Sequence, residues 1–229
     1  MDTQSALRRR HSTRQFSPRP IDDAVIDAIL DDAREAPSWS NTQPWRVAVA
    51  NGAVCDSLRH DLMAAAASRA PSPDYPQLFE YPPLLQARRR ATGFGLYEKL
   101  GIAREDKEAR ARQFEKNFAI FDAPAALFLY AHKALEHYAV LDAGCFLMAL
   151  LLSATARDVS TCAQAVLASF PDVVDRHFRR TSEGSAEKND VDDDWKLLCG
   201  VAIGYAADDV VNTFRPARIP VAELKALPR

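Results

Sequence analysis

The chain lacks the short signatures of the common nucleotide and hydrolase machines. Its 229 residues contain no GxGxxG after an apolar run, no GxxxxGKS/T, no GxSxG and no HExxH. A Rossmann dehydrogenase, a P-loop NTPase and a zinc hydrolase are set aside on that ground. No metal-ligand spacing is present either: His132 and His137 are separated by neither a helical turn nor a zinc-finger interval, and no metal is expected. Cysteine is scarce and scattered. Cys55, Cys145, Cys162 and Cys199 form no CxxC pair and suit reduced thiols of a cytoplasmic protein. Charge of one sign is not in excess, with 29 Lys and Arg against 31 Asp and Glu and a net charge of -2, so nothing drives the chain onto nucleic acid or an anionic membrane. The first 30 residues carry Asp2, Asp22, Asp23 and Asp27 and no apolar run, which argues against a secretory or transit segment. The uncharged stretch AGCFLMALLLSATA (143–156) lies between Asp142 and Arg157, short of the roughly 18 residues that span a bilayer.

What is present reads as one core with prolines spread throughout and no repeat. Ile21, Val25, Ile26, Ile29, Leu30 and Ala33 keep helical spacing after Pro20. WRVAVA (45–50) reads as a strand, and Asn51-Gly52 turns it into a helix over about 54–67. The section from Leu84 to Phe121 is charged and helical, broken by Gly93, Gly95 and Gly101. AALFLY (125–130) is a buried strand. The helix from about Tyr138 to Ala156 is apolar on nearly every face, which places it at a domain centre or a subunit interface and leaves Asp142 in need of a partner. A strand near 159–162, a helix after Pro171 and a strand over 197–205 follow, with the acidic stretch TSEGSAEKNDVDDD (181–194) between the last two as an exposed loop. Helices dominate and the strands do not alternate as βαβ units, so the fold class is α+β. The proline-containing tail from about 208 to 229 is draped over something, a second subunit included.

Four segments carry candidate chemistry. In RRRHSTRQF (8–16), arginine forks, a hydroxyl and an imidazole suit one anion, and Arg10, Ser12 and Arg14 share a side if the stretch is extended. A solvated charge run fits the same letters. PSWSNTQPW (37–45) offers small amides and hydroxyls for the mixed edge of a flavin, nicotinamide or base, or is simply a turn from helix to strand. VSTCAQAVL (159–167) puts small residues and Gln164 just after a strand, and Cys162 reads as a core thiol with nothing to activate it. NTFRPARIP (212–220) brings Arg215 and Arg218 into the tail, while Arg88, Arg89 and Arg90 read as an exposed helix face.

Taken in order, RHSTR, PSWSNTQPW, TCAQA and IGYAADDVVNTFRPARIP resemble the FMN-dependent nitroreductase family over almost the whole chain, and ARRR, GLYEKLGI and RQFEKNFAIFDAPAALF resemble its nitrobenzoate and nitroaromatic reductase branch. The resemblance implies a mostly antiparallel sheet flanked by helices, an intertwined homodimer with FMN at the subunit interface, and NADH or NADPH as electron donor to a small aromatic acceptor. It implies that Arg10, His11, Ser12 and Arg14 hold the flavin phosphate and ribityl chain, with Arg218 and Arg215 closing from the tail. Pro37, Ser38 and Asn41 of the partner subunit would meet the ring, Ala163, Gln164 and Ala165 would line its other side, and Asn117 would reach its pyrimidine edge. Arg8 and Arg9 stay on the solvated side. The chemistry belongs to the flavin, and no side chain is assigned as catalytic acid or base. Dehalogenating or flavin-fragmenting relatives, or a flavin-sequestering protein without turnover, are the competing functions. One departure concerns local geometry: ATARDVSTC lacks the glycine that members of this branch often carry before the strand.

Overall fold

A computed structural model describes residues 1–76, 80–178 and 193–225. In chain order the elements are α1 (Thr3–Arg9), α2 (Asp23–Ala33), β1 (Trp45–Asn51), α3 (Ala53–Ser68), α4 (Pro83–Lys99), α5 (Lys107–Glu115), β2 (Ala125–His132), α6 (Glu136–Ala156), β3 (Ser160–Gln164), α7 (Pro171–Phe178), β4 (Trp195–Gly204) and α8 (Val221–Leu224). The strands form one sheet in the order β1-β2-β4-β3, and every neighbouring pair is antiparallel. The class is α+β.

Strand β2 explains the layering. It is buried at every position except its last, so its side chains, alternating with period two, must feed two cores. Ala126, Phe128 and Tyr130 face a core built with Leu58 and Leu62 of α3, Phe118, and Val173 and Val174 of α7. Leu127, Leu129 and Ala131 face a second core with Ile26 and Ile29 of α2 and Ala143, Phe146 and Leu150 of α6. Helices therefore cover both faces of the sheet.

Helix α6 buries Ala139, Ala143, Phe146, Leu150 and Ala154 at the spacing of one helical face. Its other side leaves Tyr138, Val140 and Leu141 exposed. With the turn before it, it is long and apolar enough to cross a membrane by length and composition alone, which the shorter uncharged run had not suggested. Here its buried face closes a core of the fold, packed on α2 and the sheet.

Three readings of the sequence shift. Helix α4 runs unbroken through Gly93 and Gly95; only Gly101, at φ 68°, stops the chain after it. Gly95 instead admits the tail, since a Cβ there would stand 3.2 Å from the Phe214 ring. Strand β3 begins and ends later than expected, so Gln164 is its last residue rather than one beyond it. In the turn before β3, where a glycine was missed, Asp158 itself takes the left-handed conformation at φ 56°, a region aspartate tolerates better than most residues. Of the acidic loop, residues 181–192 lie outside the described residues.

Candidate functional site

The site is built where both ends of the chain meet the edge strand β3. Helix α1 stops at Arg10, whose amide bonds back to the Ala6 carbonyl at 2.9 Å. The chain then runs extended along β3: Ser12 bridges Thr161, and the Thr13 amide donates to the Thr161 carbonyl at 3.0 Å. Thr13 is fully buried, so Arg10, Ser12 and Arg14 turn to the opposite side. Past them, Ser17 donates to the Tyr205 carbonyl at 2.8 Å, which ties the segment to the start of the tail.

Arg8, Arg10, Arg14, Arg215 and Arg218 line one cleft of about 380 Å³, with His11, Ser12 and Phe214 between them. Among the described residues none of these five arginines meets a carboxylate. Arg14 donates to the Ser12 carbonyl at 3.2 Å, Arg215 to the Asn212 and Phe214 carbonyls at 2.8 and 2.9 Å, and Arg218 to the Pro216 carbonyl at 2.9 Å. Burial, then the facing Arg218, pulls Arg10 below the ordinary guanidinium range. Arg215 is lowered by burial and by Arg10. His11 is also held below the usual imidazole value, first by burial and then by Arg215, Arg10 and Arg14, against the raising effect of its bond to the Arg9 carbonyl. The cleft is thus a cluster of cations that repel one another and have no counter-ion, the arrangement an anionic group relieves. Arg8 lines it, contrary to the sequence reading; Arg9 turns away to Asp158 at 2.6 Å, as that reading had it.

Farther along β3 the chemistry changes. Ala163 and Ala165 are exposed methyl groups, and Gln164 between them is buried. Gln164 Nε2 donates to the Asn117 backbone carbonyl at 3.1 Å and to Asn117 Oδ1 at 3.3 Å, while Gln164 Oε1 is buried with no partner. The fold therefore brings together Asn117 and Gln164, 47 residues apart in the chain. Asn117 is anchored through Nδ2 to the Phe114 carbonyl at 2.8 Å, and the turn after it holds three non-glycine residues, Ile120, Phe121 and Asp122, at φ 55°, 52° and 60°. Arg59 clamps that strained turn from both sides, donating to the Ala119 and Ala123 carbonyls at 3.0 and 2.6 Å. Cys162 is buried beneath Ser12; burial raises its thiol despite the nearby arginines, so it is no nucleophile. Thr161, beside Ser12, and Gln164 are three residues apart on the strand, about 10 Å along this edge.

Loop 37–45 sits elsewhere in the same chain. Its 3-10 turn, Trp39–Asn41, holds Ser40 and Asn41 at positive φ, and Trp39 donates its amide to Asp142 Oδ2 of α6 at 3.0 Å. The Trp39 ring meets Tyr138 edge-on at 3.8 Å. No residue of this loop lines the arginine cleft, so a single chain does not bring Pro37, Ser38 or Asn41 to it. Two side chains that the sequence reading missed prove structural to the site, Arg59 and Asn212; neither belongs to a recognisable pattern, because each acts on backbone carbonyls and amides.

A larger hollow of about 1030 Å³ opens between α3 and α7, and several of its charged groups are already engaged. Arg69 pairs with Asp172 at 2.7 Å, Asp61 with His177 at 3.0 Å, and Asp74 accepts from the Leu197 amide at 2.8 Å. Among the described residues no cluster of His, Cys, Asp or Glu is arranged to hold a metal ion.

Fold and site together define an α+β protein with an arginine-lined cleft beside the edge strand of its sheet. Residues 7–205 match the Nitroreductase family. The chain is 33% identical over 221 residues to nitroreductase NfnB of Mycolicibacterium smegmatis, covering 95% of this chain and 88% of that protein. It is 33% identical over 222 residues to a 4-nitrobenzoate reductase of Pseudomonas putida, covering 95% and 91%. The crystal structure of the FMN-dependent nitroreductase NfnB from Mycobacterium smegmatis in complex with NADPH superposes with a TM-score of 0.87 at 31% identity, covering 100% of each chain. The chain belongs to the nitroreductase family.

Proposed function

We propose that this chain is an FMN-dependent oxidoreductase that takes electrons from NADPH or NADH and passes them to nitroaromatic or quinone-type acceptors. The observation that carries the reading is the uncompensated arginine cleft, whose Ser12 bridges Thr161 of β3, the strand that ends at Gln164. Arg10, Ser12, Arg14, Arg215 and Arg218, with His11, hold the phosphate. Ala163 and Ala165 present a flat apolar edge to the ring, and Gln164 is buried between them with its Oε1 unpartnered. Asn117 fixes Gln164 in that orientation. FMN held there would supply the redox chemistry that links nicotinamide to acceptor. The protein contributes placement and positive charge, and no side chain needs to act as acid or base.

The same reading makes the active form a homodimer of one-domain subunits, with the tail from about residue 208 reaching over the partner. The exposed apolar stripe of α6, Tyr138, Val140 and Leu141, supports this, and loop 37–45 is anchored to that helix through Asp142. A second copy seated on the stripe brings Pro37, Ser38 and Asn41 of the partner subunit toward the ring.

The test is anaerobic reduction of the purified protein by each nicotinamide, then reoxidation by 4-nitrobenzoate, a quinone and a halogenated phenol. Rapid reduction with fastest reoxidation by the nitro compound is expected. Colourless protein that fails to take up FMN sinks the reading, and bound flavin that neither nicotinamide reduces leaves a sequestering protein instead. Arg10→Ala combined with Arg218→Ala should release FMN on dialysis, because each charge-assisted contact contributes about 1.5–3 kcal/mol.

A further inference from the structure

Asn212 lies in the 3-10 turn Val210–Thr213 and is buried. Its side-chain carbonyl accepts from the Arg14 amide at 2.8 Å and the Gln15 amide at 3.2 Å. Its side-chain amide donates to the Gln15 carbonyl at 2.7 Å and the Ala207 carbonyl at 3.0 Å. Two lone pairs and two hydrogens are the whole capacity of a primary amide, and all four are used. The Asn212 backbone carbonyl accepts from the Arg215 guanidinium at 2.8 Å. The turn is itself held by Asp209, whose carboxylate accepts from the Val211 amide at 2.8 Å.

One residue therefore joins the segment that carries Arg10, Ser12 and Arg14 to the tail that carries Arg215 and Arg218. The join works against electrostatics. The two groups of cations face each other across the cleft, and like charges push apart until an anion arrives. A cradle held open at the right width before binding loses less free energy to ordering when the ligand enters.

We propose that Asn212 is a positioning residue that sets the spacing of the two arginine segments, so that the affinity for the phosphate end of the flavin depends on it. The proposal rests on the reading that this cleft takes the FMN phosphate. No other residue replaces it: alanine makes none of the four bonds, and aspartate turns two oxygen lone pairs against the Gln15 and Ala207 carbonyls.

The experiment compares FMN with riboflavin, which has the same ring and ribityl chain but no phosphate, on flavin-stripped full-length protein. In Asn212→Ala the dissociation constant for FMN is expected to rise about tenfold or more, the equivalent of one net hydrogen bond, while that for riboflavin stays within about twofold. Should Asn212→Ala be recovered only as aggregate, Asn212→Ser carries the same comparison, since it is neutral and leaves one hydroxyl in place of four bonds. Equal weakening of both flavins shows a merely structural role and overturns the proposal, as does no change in either. If the wild-type chain itself binds FMN no better than riboflavin, the phosphate assignment of the cleft falls, an outcome separate from the two that judge Asn212.

Discussion

Asp142 sits on an apolar helix with 6% of its surface exposed, and its carboxylate accepts the amide of Trp39. The bond does two things at once: it satisfies a carboxylate that the core would otherwise reject, and it fixes the loop that carries Pro37, Ser38 and Asn41. Asp142→Ala should lower unfolding free energy by about 1–3 kcal/mol, because it strands a buried donor, and Asp142→Asn should recover most of the loss by keeping an acceptor in place. Urea titration of the three proteins checks both. The letters showed that Asp142 needed a partner, and they could not show which. Its partner is a backbone amide, as are two of the four partners of Asn212, and a backbone amide has no letter of its own. The arginines were legible only in part: their clustering suited an anion, but a solvated charge run fitted the same letters, and it is the fold that sets the tail's Arg215 and Arg218 in one cleft with them. Only Arg8 was misplaced, since its neighbour Arg9 has Asp158 and Arg8 does not.

At the scale of elements, β4 passes under the 3-10 turn Ala165–Ser169 at Gly200, where an added Cβ would lie 2.6 Å from Leu167 Cδ1 and 2.9 Å from Leu167 Cβ. The second contact cannot be relieved by a rotamer change, so the turn that follows Gln164 would have to lift. Gly200→Ala should therefore destabilise by about 1–3 kcal/mol, a fall of about 2–4 °C in Tm for each kcal/mol at this size. Differential scanning calorimetry measures it. The strands and long helices were readable because their apolar periods are strong: β2 is apolar throughout and α2 keeps one face. Helix α4 was misread because glycine was taken as a breaker. It carries no buried residue, and Gly95 serves the neighbouring tail rather than the helix itself. The pairing of residues 12–13 with β3 had no local signal, because a single bridge between distant segments leaves no periodicity.

For the whole molecule, the division of labour between the two faces of α6 matters most. One face closes a core and the other offers Leu141, 64% exposed, beside Tyr138 and Val140. A charge placed there meets water in a lone chain and an apolar surface in a dimer. Leu141→Glu should leave the fold intact, shift the protein from dimer to monomer in sedimentation velocity runs, and weaken flavin binding along with assembly. A monomer that keeps full flavin affinity would show that the ring site is complete within one chain.

The arginine cradle also has a place in time. Arg14 and Asn212 are 198 residues apart, and a chain is synthesised from its N-terminus at about 5–20 residues per second. Arg10 and Arg14 thus leave the ribosome on the order of 10–40 s before Arg215 and Arg218. Strand β4, which contributes to both cores, is made only about eleven residues before Arg215, so the sheet and the arginine cleft are completed almost together. On the proposed function, flavin uptake is then among the last events in making the protein, and a chain broken off before the tail lacks Arg215 and Arg218 of the cleft.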